Sequence, residues 1–338
     1  MTRRRRLVFL LVALAEAAQA RPPIIDMHLH ARRLDYDGAS APSLCAPPSA
    51  MPRWDNARPL EEGLSPDDQS CADPIPPARS GEAVMQGTLA ILERRNVIAM
   101  ASGEPEDIAR WRAAAPERII AGLDLRITPR SPSARFQARS PEAVRALHAA
   151  GTFQVLGEVM AQYEGVAPAD PRLEPYWTLA EELGIPVGIH LGPGSAGGAY
   201  QGGGYRARTS SALGLEEVLV RHPRLRLYIM HAGYPLIDDL LALLYAHPQV
   251  HVDVSAIVAT EPRPAFYRYL ERIVEAGFGD RVMFGTDQGI WPGLIEVAIR
   301  TIEQASFLSE AQKRDIFYNN AARFLRLSDE QIARHHAM

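Results

Sequence analysis

The sequence is poor in lysine and cysteine and has no excess of positive charge. In 338 residues Lys313 is the only lysine, Cys45 and Cys71 are the only cysteines, and the net charge is −4. A nucleic-acid-binding protein typically has a basic excess, so we expect no nucleic-acid partner. With 47% apolar and 22% charged residues, the composition is that of an ordinary globular protein.

The chain also lacks an apolar run long enough to span a bilayer as a helix, which needs about 20 residues. The apolar run at residues 7–14 follows four arginines and precedes Ala18-Gln19-Ala20. This order of basic region, apolar region and small-residue site is typical of a secretory signal. We therefore expect a signal peptide at 1–20 and a mature chain, 21–338, that is periplasmic or secreted without a stable membrane anchor. An uncleaved anchor or a wrongly assigned start is the alternative.

Both cysteines lie in residues 31–80, a segment rich in proline, alanine, serine and acidic residues without a sustained helical or strand period. In an oxidising compartment two cysteines within one loop favour a Cys45–Cys71 disulfide, and two free thiols are the alternative. Long loops without regular structure are often functional. Because this segment directly follows the first strand, we interpret it as an insertion that can cover a site there.

The remaining pattern alternates short apolar runs with amphipathic helices. This alternation predicts a (β/α)8 TIM barrel with a long insertion after strand 1, and a doubly wound open sheet is the runner-up. Residues 335 and 336 fall in a tail that we expect to fray. The eight predicted strands are 24–29, 97–101, 118–125, 153–158, 185–190, 225–231, 250–255 and 282–286.

The first strand contains the motif Asp26-Met27-His28-Leu29-His30. Residues two apart on a strand point to the same side, so we expect Asp26, His28 and His30 to project together. Neutral imidazole is a common ligand for divalent metals, zinc above all. Four other predicted strands end in Glu158, His190, His231 and Asp287. The carboxyl ends of parallel barrel strands meet at one mouth, so these side chains predict a metal site there.

Together these residues resemble the metal-ligand pattern of the metal-dependent amidohydrolase superfamily. Within the superfamily, the chain resembles the amidohydrolase 2 branch, which also holds aminocarboxymuconate-semialdehyde decarboxylase. The stretch Asn320-Ala321-Ala322-Arg323 resembles the closing helix of that branch. The likeness covers about residues 24 to 327, apart from the insertion. Some members of the superfamily bridge two metals with a carboxylated lysine on strand four. No lysine of this chain can take that position, where Glu158 stands instead.

The resemblance implies a divalent metal cofactor, with zinc expected and one or two ions per chain. His28, His30 and Asp287 would hold one ion, His190 and His231 a second, and Glu158 would bridge them. Two ions lower the pKa of a shared water, which supplies a metal-activated hydroxide. Asp287 would then act as the general base. Glu158 as a salt-bridged carboxylate outside the ligand set is the alternative.

Substrate contacts are predicted from residues that follow the ligand-bearing strands. The glycine-rich stretch 192–208 contains Tyr205 and Arg206, and we expect the arginine to bind an anionic substrate group. Tyr163 and Trp291 follow other such strands and are predicted to line an apolar pocket. A plain flexible loop and packing at the rim are the alternatives.

The leading hypothesis is a metal-dependent hydrolase that cleaves an ester, lactone, amide or related bond of a small organic substrate. The first alternative is a mononuclear decarboxylase or hydratase of an unsaturated or aromatic carboxylic acid, with His231 as the acid/base. The second is a non-catalytic exported binding protein. The expected partner is a small-molecule substrate. The sequence leaves open whether the chain also forms a homo-oligomer.

Overall fold

The structure, a computed structural model, describes residues 21–32, 41–65, 71–128 and 137–338. The predicted signal peptide and parts of the predicted insertion (33–40 and 66–70) lie outside the described residues. None of the helices found in the described ranges combines the length and the apolar character needed to cross a membrane.

The described residues form a parallel eight-stranded barrel, which confirms the predicted fold class. Each strand pairs with the next one along the chain, and a helix follows each strand. The strands, β1 to β8, are Ile24–His30, Val97–Gly103, Ile119–Leu125, Val155–Val159, Val187–His190, Leu227–Met230, His251–Asp253 and Val282–Met283. The helices that follow them, α1 to α8, are Gly81–Arg95, Pro105–Ala114, Pro141–Ala149, Glu174–Leu183, Glu216–Arg221, Ile237–Ala246, Arg263–Ile273 and Leu294–Glu303.

The barrel closes where the chain beyond β8 meets β1. The backbone N–H of Met27 donates to the carbonyl of Phe284 at 2.8 Å, and the N–H of Asp287 donates to that of His28 at 2.8 Å. The buried Asp26 carboxylate accepts from the N–H of Thr286 at 3.1 Å and from its hydroxyl at 2.6 Å. Asp26 therefore joins the first strand to the last.

The barrel interior is packed with large side chains below the mouth. Alternate residues of the strands, among them Met27, Met100 and Tyr228, form a fully buried cluster. Gly188 makes room for this cluster, because a Cβ there would lie 2.5 Å from the Tyr228 ring. Since the interior is filled, the carboxyl ends of the strands provide the space for a site.

The insertion has more regular structure than its sequence predicts. Arg53–Trp54 pairs antiparallel with Leu64–Ser65, a helical turn spans Leu60–Gly63, and Leu44 forms a bridge with Ile75. Cys45 and Cys71 form a disulfide, as predicted. The short strands escaped prediction because two-residue strands carry no readable periodicity.

Three further helices, α9 to α11, complete the chain at Glu310–Arg314, Asn320–Leu325 and Asp329–Ala337. The prediction of a frayed tail is wrong. Ser328 and Gln331 form a capping box at the start of α11. The His335 ring is buried, with its Nδ1 3.0 Å from the Tyr318 hydroxyl.

Candidate metal centre

The six side chains predicted as metal ligands converge at the barrel mouth. The ligand atoms of His28, His30 and Asp287 lie within 4.8 Å of one another, and so do those of Glu158, His190 and His231. The five residues other than Asp287 are at most 3% exposed. The Asp287 side chain is 23% exposed and borders a cavity. The structure thus brings the predicted set together, and the role of each residue as a ligand stays a prediction.

Glu158 lies between the two groups of histidines. Its Oε2 is 3.9 Å from the Nε2 of His28 and 3.7 Å from that of His30, and its Oε1 is 3.9 Å from the Nε2 of His190. Each carboxylate oxygen therefore faces a different group. Asp287 lies against the first group, with its Oδ1 3.0 Å from the Nε2 of His30.

The imidazoles present their Nε2 atoms to the centre because protein groups hold their Nδ1 atoms. The Nδ1 of His28 is 2.8 Å from the Ser255 hydroxyl, and the Nδ1 of His231 is 2.9 Å from the Ser255 carbonyl. The Nδ1 of His190 is 2.7 Å from the Oε1 of Gln162. An imidazole that donates from Nδ1 keeps a lone pair on Nε2 for a metal.

Two of the predicted ligands have an unusual backbone conformation. His231 has φ 60° and Asp287 has φ 51°, in the left-handed region that residues other than glycine rarely adopt. Such conformations concentrate at functional sites. Gly192 must be small here, because a Cβ at its position would lie 2.5 Å from the Cβ of His231.

A divalent cation fits this set of donors. The Nε2 of His190 and the Oδ2 of Asp253 are buried and have no hydrogen-bond partner among the described residues. The Nε2 atoms of His28 and His30 lie only 3.3 Å apart. Imidazole nitrogens and carboxylate oxygens are ligands that zinc and similar ions accept. These residues therefore suit the metal that the sequence predicts.

Burial and the neighbouring charges shift the pKa values of the ionisable groups in the centre. Burial raises the pKa of Glu158 to about 7, with Asp287 and Asp124 adding to the shift. Burial and the neighbouring His231 hold the pKa of His190 well below its usual value. Burial opposes the charged form of His28, but the carboxylates of Asp287, Asp253 and Glu158 outweigh it and raise the pKa of His28 to about 10. The cluster of carboxylates thus favours a cation in its midst.

Sequence reasoning missed Asp253, Ser255 and Gln162. Asp253 and Ser255 are fully buried and contact His28 and His231, although β7 was predicted to contribute no ligand. A signal was available for Asp253 alone, because it is an acidic residue within the predicted strand 250–255. Gln162 lies in a 3₁₀ turn after β4, where no sequence pattern indicated a role.

A cavity of about 350 Å³ lies over the cluster. Tyr163 and Tyr205, two of the predicted substrate contacts, line it, and the Tyr163 ring packs against His190 with centroids 4.2 Å apart. Their role in substrate binding stays a prediction. The two other predicted substrate contacts are not in its lining. Arg206 is exposed and donates to the carbonyl of Tyr205, and the indole N–H of Trp291 donates to the carbonyl of Pro42 in the insertion. Two arginines that sequence reasoning overlooked, Arg32 and Arg126, do line the cavity.

Residues 25–327 match the model of a family described as amidohydrolase. The chain therefore belongs to the amidohydrolase family, a metal-dependent family of enzymes. Among curated proteins none matches this sequence.

Solved structures with the same barrel share few identical residues with this chain. An uncharacterised TIM-barrel protein from Bordetella bronchiseptica is 16% identical, with 92% of this chain and 99% of that chain covered and a TM-score of 0.58. The 5-carboxyvanillate decarboxylase from Sphingomonas paucimobilis is 17% identical, with 91% of this chain and 100% of that chain covered and a TM-score of 0.54. A probable 2-pyrone-4,6-dicarboxylic acid hydrolase from Acinetobacter baumannii, solved with citric acid bound, is 16% identical. The match covers 90% of this chain and 99% of that chain, with a TM-score of 0.55. At such identities the likeness shows the fold alone.

Proposed function

We propose that the chain is a metal-dependent hydrolase that cleaves an ester, lactone, amide or related bond of a small organic acid. The position of Glu158 is the observation that carries this proposal. Its two carboxylate oxygens face different groups of histidines at 3.7 to 3.9 Å. A carboxylate placed in this way suits two cations rather than one, and a pair of divalent cations is typical of hydrolytic sites.

When bound, the cations would acidify a water and polarise the bond under attack. The protein supplies the groups that hold the substrate and move the proton. Asp287 borders the cavity, and although burial opposes its ionisation, His28 and His30 keep its pKa below the usual value. Its carboxylate therefore stays ionised and is free to accept the proton of the attacking water. The same oxygen then returns that proton to the leaving group.

The acidic character of the substrate is inferred from the two arginines of the cavity. Arg126 pairs with Glu164 at 3.3 Å, whereas the Nε of Arg32 has no hydrogen-bond partner among the described residues. A guanidinium beside the reacting centre suits a substrate carboxylate, because the two groups form paired hydrogen bonds. The decarboxylase and hydrolase with the same barrel are both named for carboxylic acids.

Activity measurements test this proposal. Purified protein, loaded with zinc or manganese, is assayed on esters, lactones and amides of small carboxylic acids, with and without a chelator. Chelator-sensitive hydrolysis that is lost in Asp287→Asn and retained in His251→Ala supports the proposal, since His251 lies at the opposite end of the barrel. Release of CO₂ from an aromatic or unsaturated acid without any hydrolysis would favour the decarboxylase. Bound metal without turnover on any substrate would favour a binding protein.

We also propose that the chain is exported, which the Cys45–Cys71 disulfide supports because such bonds persist in oxidising compartments. Cell fractionation and the mass of the mature protein test this. Accumulation in the periplasm or medium with residues 1–20 removed is the expected result, and a full-length cytoplasmic protein would contradict it.

A further inference from the structure

The amide of Gln162 has only one orientation that satisfies its neighbours. Its Oε1 accepts from the N–H of Gly192 at 3.2 Å, and its Nε2 donates to the carbonyl of Gly192 at 3.2 Å and to the Ser210 hydroxyl at 2.7 Å. A backbone N–H can only donate and a carbonyl can only accept, so the amide cannot be flipped. The Nδ1 of His190, 2.7 Å from Oε1, must then carry hydrogen, which leaves the lone pair on Nε2.

Ser255 does the same for His28, with the help of Asp253. The Ser255 hydroxyl donates its single hydrogen to the Oδ1 of Asp253 at 2.5 Å, so it can only accept from the Nδ1 of His28 at 2.8 Å. The same Oδ1 accepts the N–H groups of His231 and Ser255 at 3.0 and 2.9 Å, which holds the carboxylate in place. The Nδ1 of His231 lies 3.1 Å from the same hydroxyl but 2.9 Å from the Ser255 carbonyl. The carbonyl can only accept, so it keeps hydrogen on the Nδ1 of His231 even without the hydroxyl.

Close packing keeps Asp253 and Ser255 in position. Both are fully buried. A Cβ placed on Gly285 would lie 3.0 Å from the Cβ of Ser255, 3.2 Å from that of His28 and 3.4 Å from the carboxyl carbon of Asp253. The absence of a side chain at Gly285 thus lets these three groups pack against the chain just beyond β8.

We propose that Ser255, supported by Asp253, and Gln162 are the positioning residues that hold His28 and His190, respectively, as Nε2 metal ligands. This inference rests on the proposed metal centre. The two side chains act on different histidines, because the Ser255 hydroxyl is the Nδ1 partner of His28 and the Gln162 amide is that of His190. His231, in the same half as His190, keeps the Ser255 carbonyl as its Nδ1 partner when the Ser255 hydroxyl is removed. The two halves should therefore respond separately when one positioning residue is lost.

Zinc titration of the folded, full mature chain against a chromogenic chelator tests the proposal. Ser255→Ala should weaken the affinity of the half with His28 by about 10- to 100-fold and leave the other nearly unchanged, and Gln162→Met should do the reverse. The two affinities are assigned with His30→Ala and His190→Ala. Thr301→Val is the matched control, because Thr301 is equally buried but its hydroxyl donates to the carbonyl of Val297 within α8, away from the cluster. If wild type binds a single ion, both variants should weaken that one affinity.

Nitrogen NMR of histidine-labelled protein supplies a readout that a purely structural role would not change. In wild type the His28 and His190 rings should carry hydrogen on Nδ1. Ser255→Ala should alter the His28 signal more than that of His231, which keeps the Ser255 carbonyl as acceptor, and should leave the His190 signal unchanged. Asp253→Asn, which preserves shape, should also alter it if Ser255→Ala fails to fold. Wild-type zinc affinities and unchanged ring signals in all the variants would overturn this inference. A wild-type chain without bound zinc would instead overturn the proposed metal centre.

Discussion

At the scale of single residues, the centre depends on groups whose geometry leaves few alternatives. His231 and Asp287 have left-handed backbone conformations, and Glu158 faces histidines on both sides. Such conformations cost of order 1–3 kcal/mol each and persist where the surrounding structure enforces them. Here the enforced positions belong to predicted ligands, which agrees with a site that is formed before any ion binds.

Glu158→Gln tests the bridge. The substitution keeps the shape of the side chain but removes the charge that offsets repulsion between two cations. We expect the metal content to fall from about two ions per chain to about one. Elemental analysis after gel filtration measures this, with Glu164→Gln, a carboxylate paired with Arg126 outside the cluster, as the control. Unchanged stoichiometry would place Glu158 outside the ligand set.

Arg32→Met tests the anionic substrate. Loss of a charged hydrogen bond at the cavity should raise KM for a carboxylate substrate by about tenfold or more. A neutral analogue of that substrate should show little change. Arg206→Met is the matched comparison, because Arg206 was predicted to bind the substrate from the sequence but lies outside the cavity lining. A larger effect of Arg206→Met would restore the prediction made from the sequence.

At the scale of elements, the last strand is held by a helix as well as by its neighbours. Asn320 at the start of α10 is fully buried, and its amide donates to the carbonyl of Val282 at 2.7 Å and to that of Gly279 at 2.9 Å. These bonds anchor the start of β8, whose continuation carries Asp287. The Asn-Ala-Ala-Arg stretch is therefore a structural support for the candidate metal centre.

Asn320→Ala should lower the free energy of unfolding by about 2 kcal/mol, because the buried carbonyl of Val282 and the half-buried carbonyl of Gly279 lose their donor. Urea unfolding of the metal-free protein measures the change. Asn319→Ala, next in the chain but bonded only to Asp315 within its own helical segment, should change stability by roughly 0.5 kcal/mol or less. Equal effects of the two substitutions would show that Asn320 is not such an anchor.

The elements that bear the ligands could be predicted because each is an apolar run that ends in a polar residue. The positions of His28, Glu158 and His190 on β1, β4 and β5 follow from that pattern. The residues that hold them could not be predicted in the same way. Gln162 acts from a short turn, and Ser255 acts from beyond the end of β7, where the contact depends on tertiary packing and not on periodicity.

At the scale of the whole molecule, the insertion reaches loops on two sides of the mouth. Trp54 contacts Tyr200 with ring centroids 5.2 Å apart, and Leu60 packs on Gly197, both in the loop after β5. On the side of β8, the N–H of Ala78 donates to the carbonyl of Ile290 at 2.8 Å. Because the loop after β5 lines the cavity, the insertion can influence the shape of that cavity.

Replacing both cysteines, Cys45→Ser with Cys71→Ser, tests this link. For a closed loop with a sequence separation of 26, the disulfide is worth about 3 kcal/mol of chain entropy. Since the barrel has its own large core, we expect this loss to loosen the insertion and leave the metal content unchanged. KM for the substrate should rise, and reduction of wild type should have the same effect. Unchanged kinetics would leave the disulfide with a purely structural role.

The metal content of the purified chain tests the central claim most directly. After growth with zinc or manganese and removal of loosely bound ions, elemental analysis should find about two ions per folded chain. His190→Ala should lower this to about one, whereas His251→Ala, which removes an imidazole at the opposite end of the barrel, should leave it unchanged. A folded wild-type chain that holds no metal under these conditions would contradict the account.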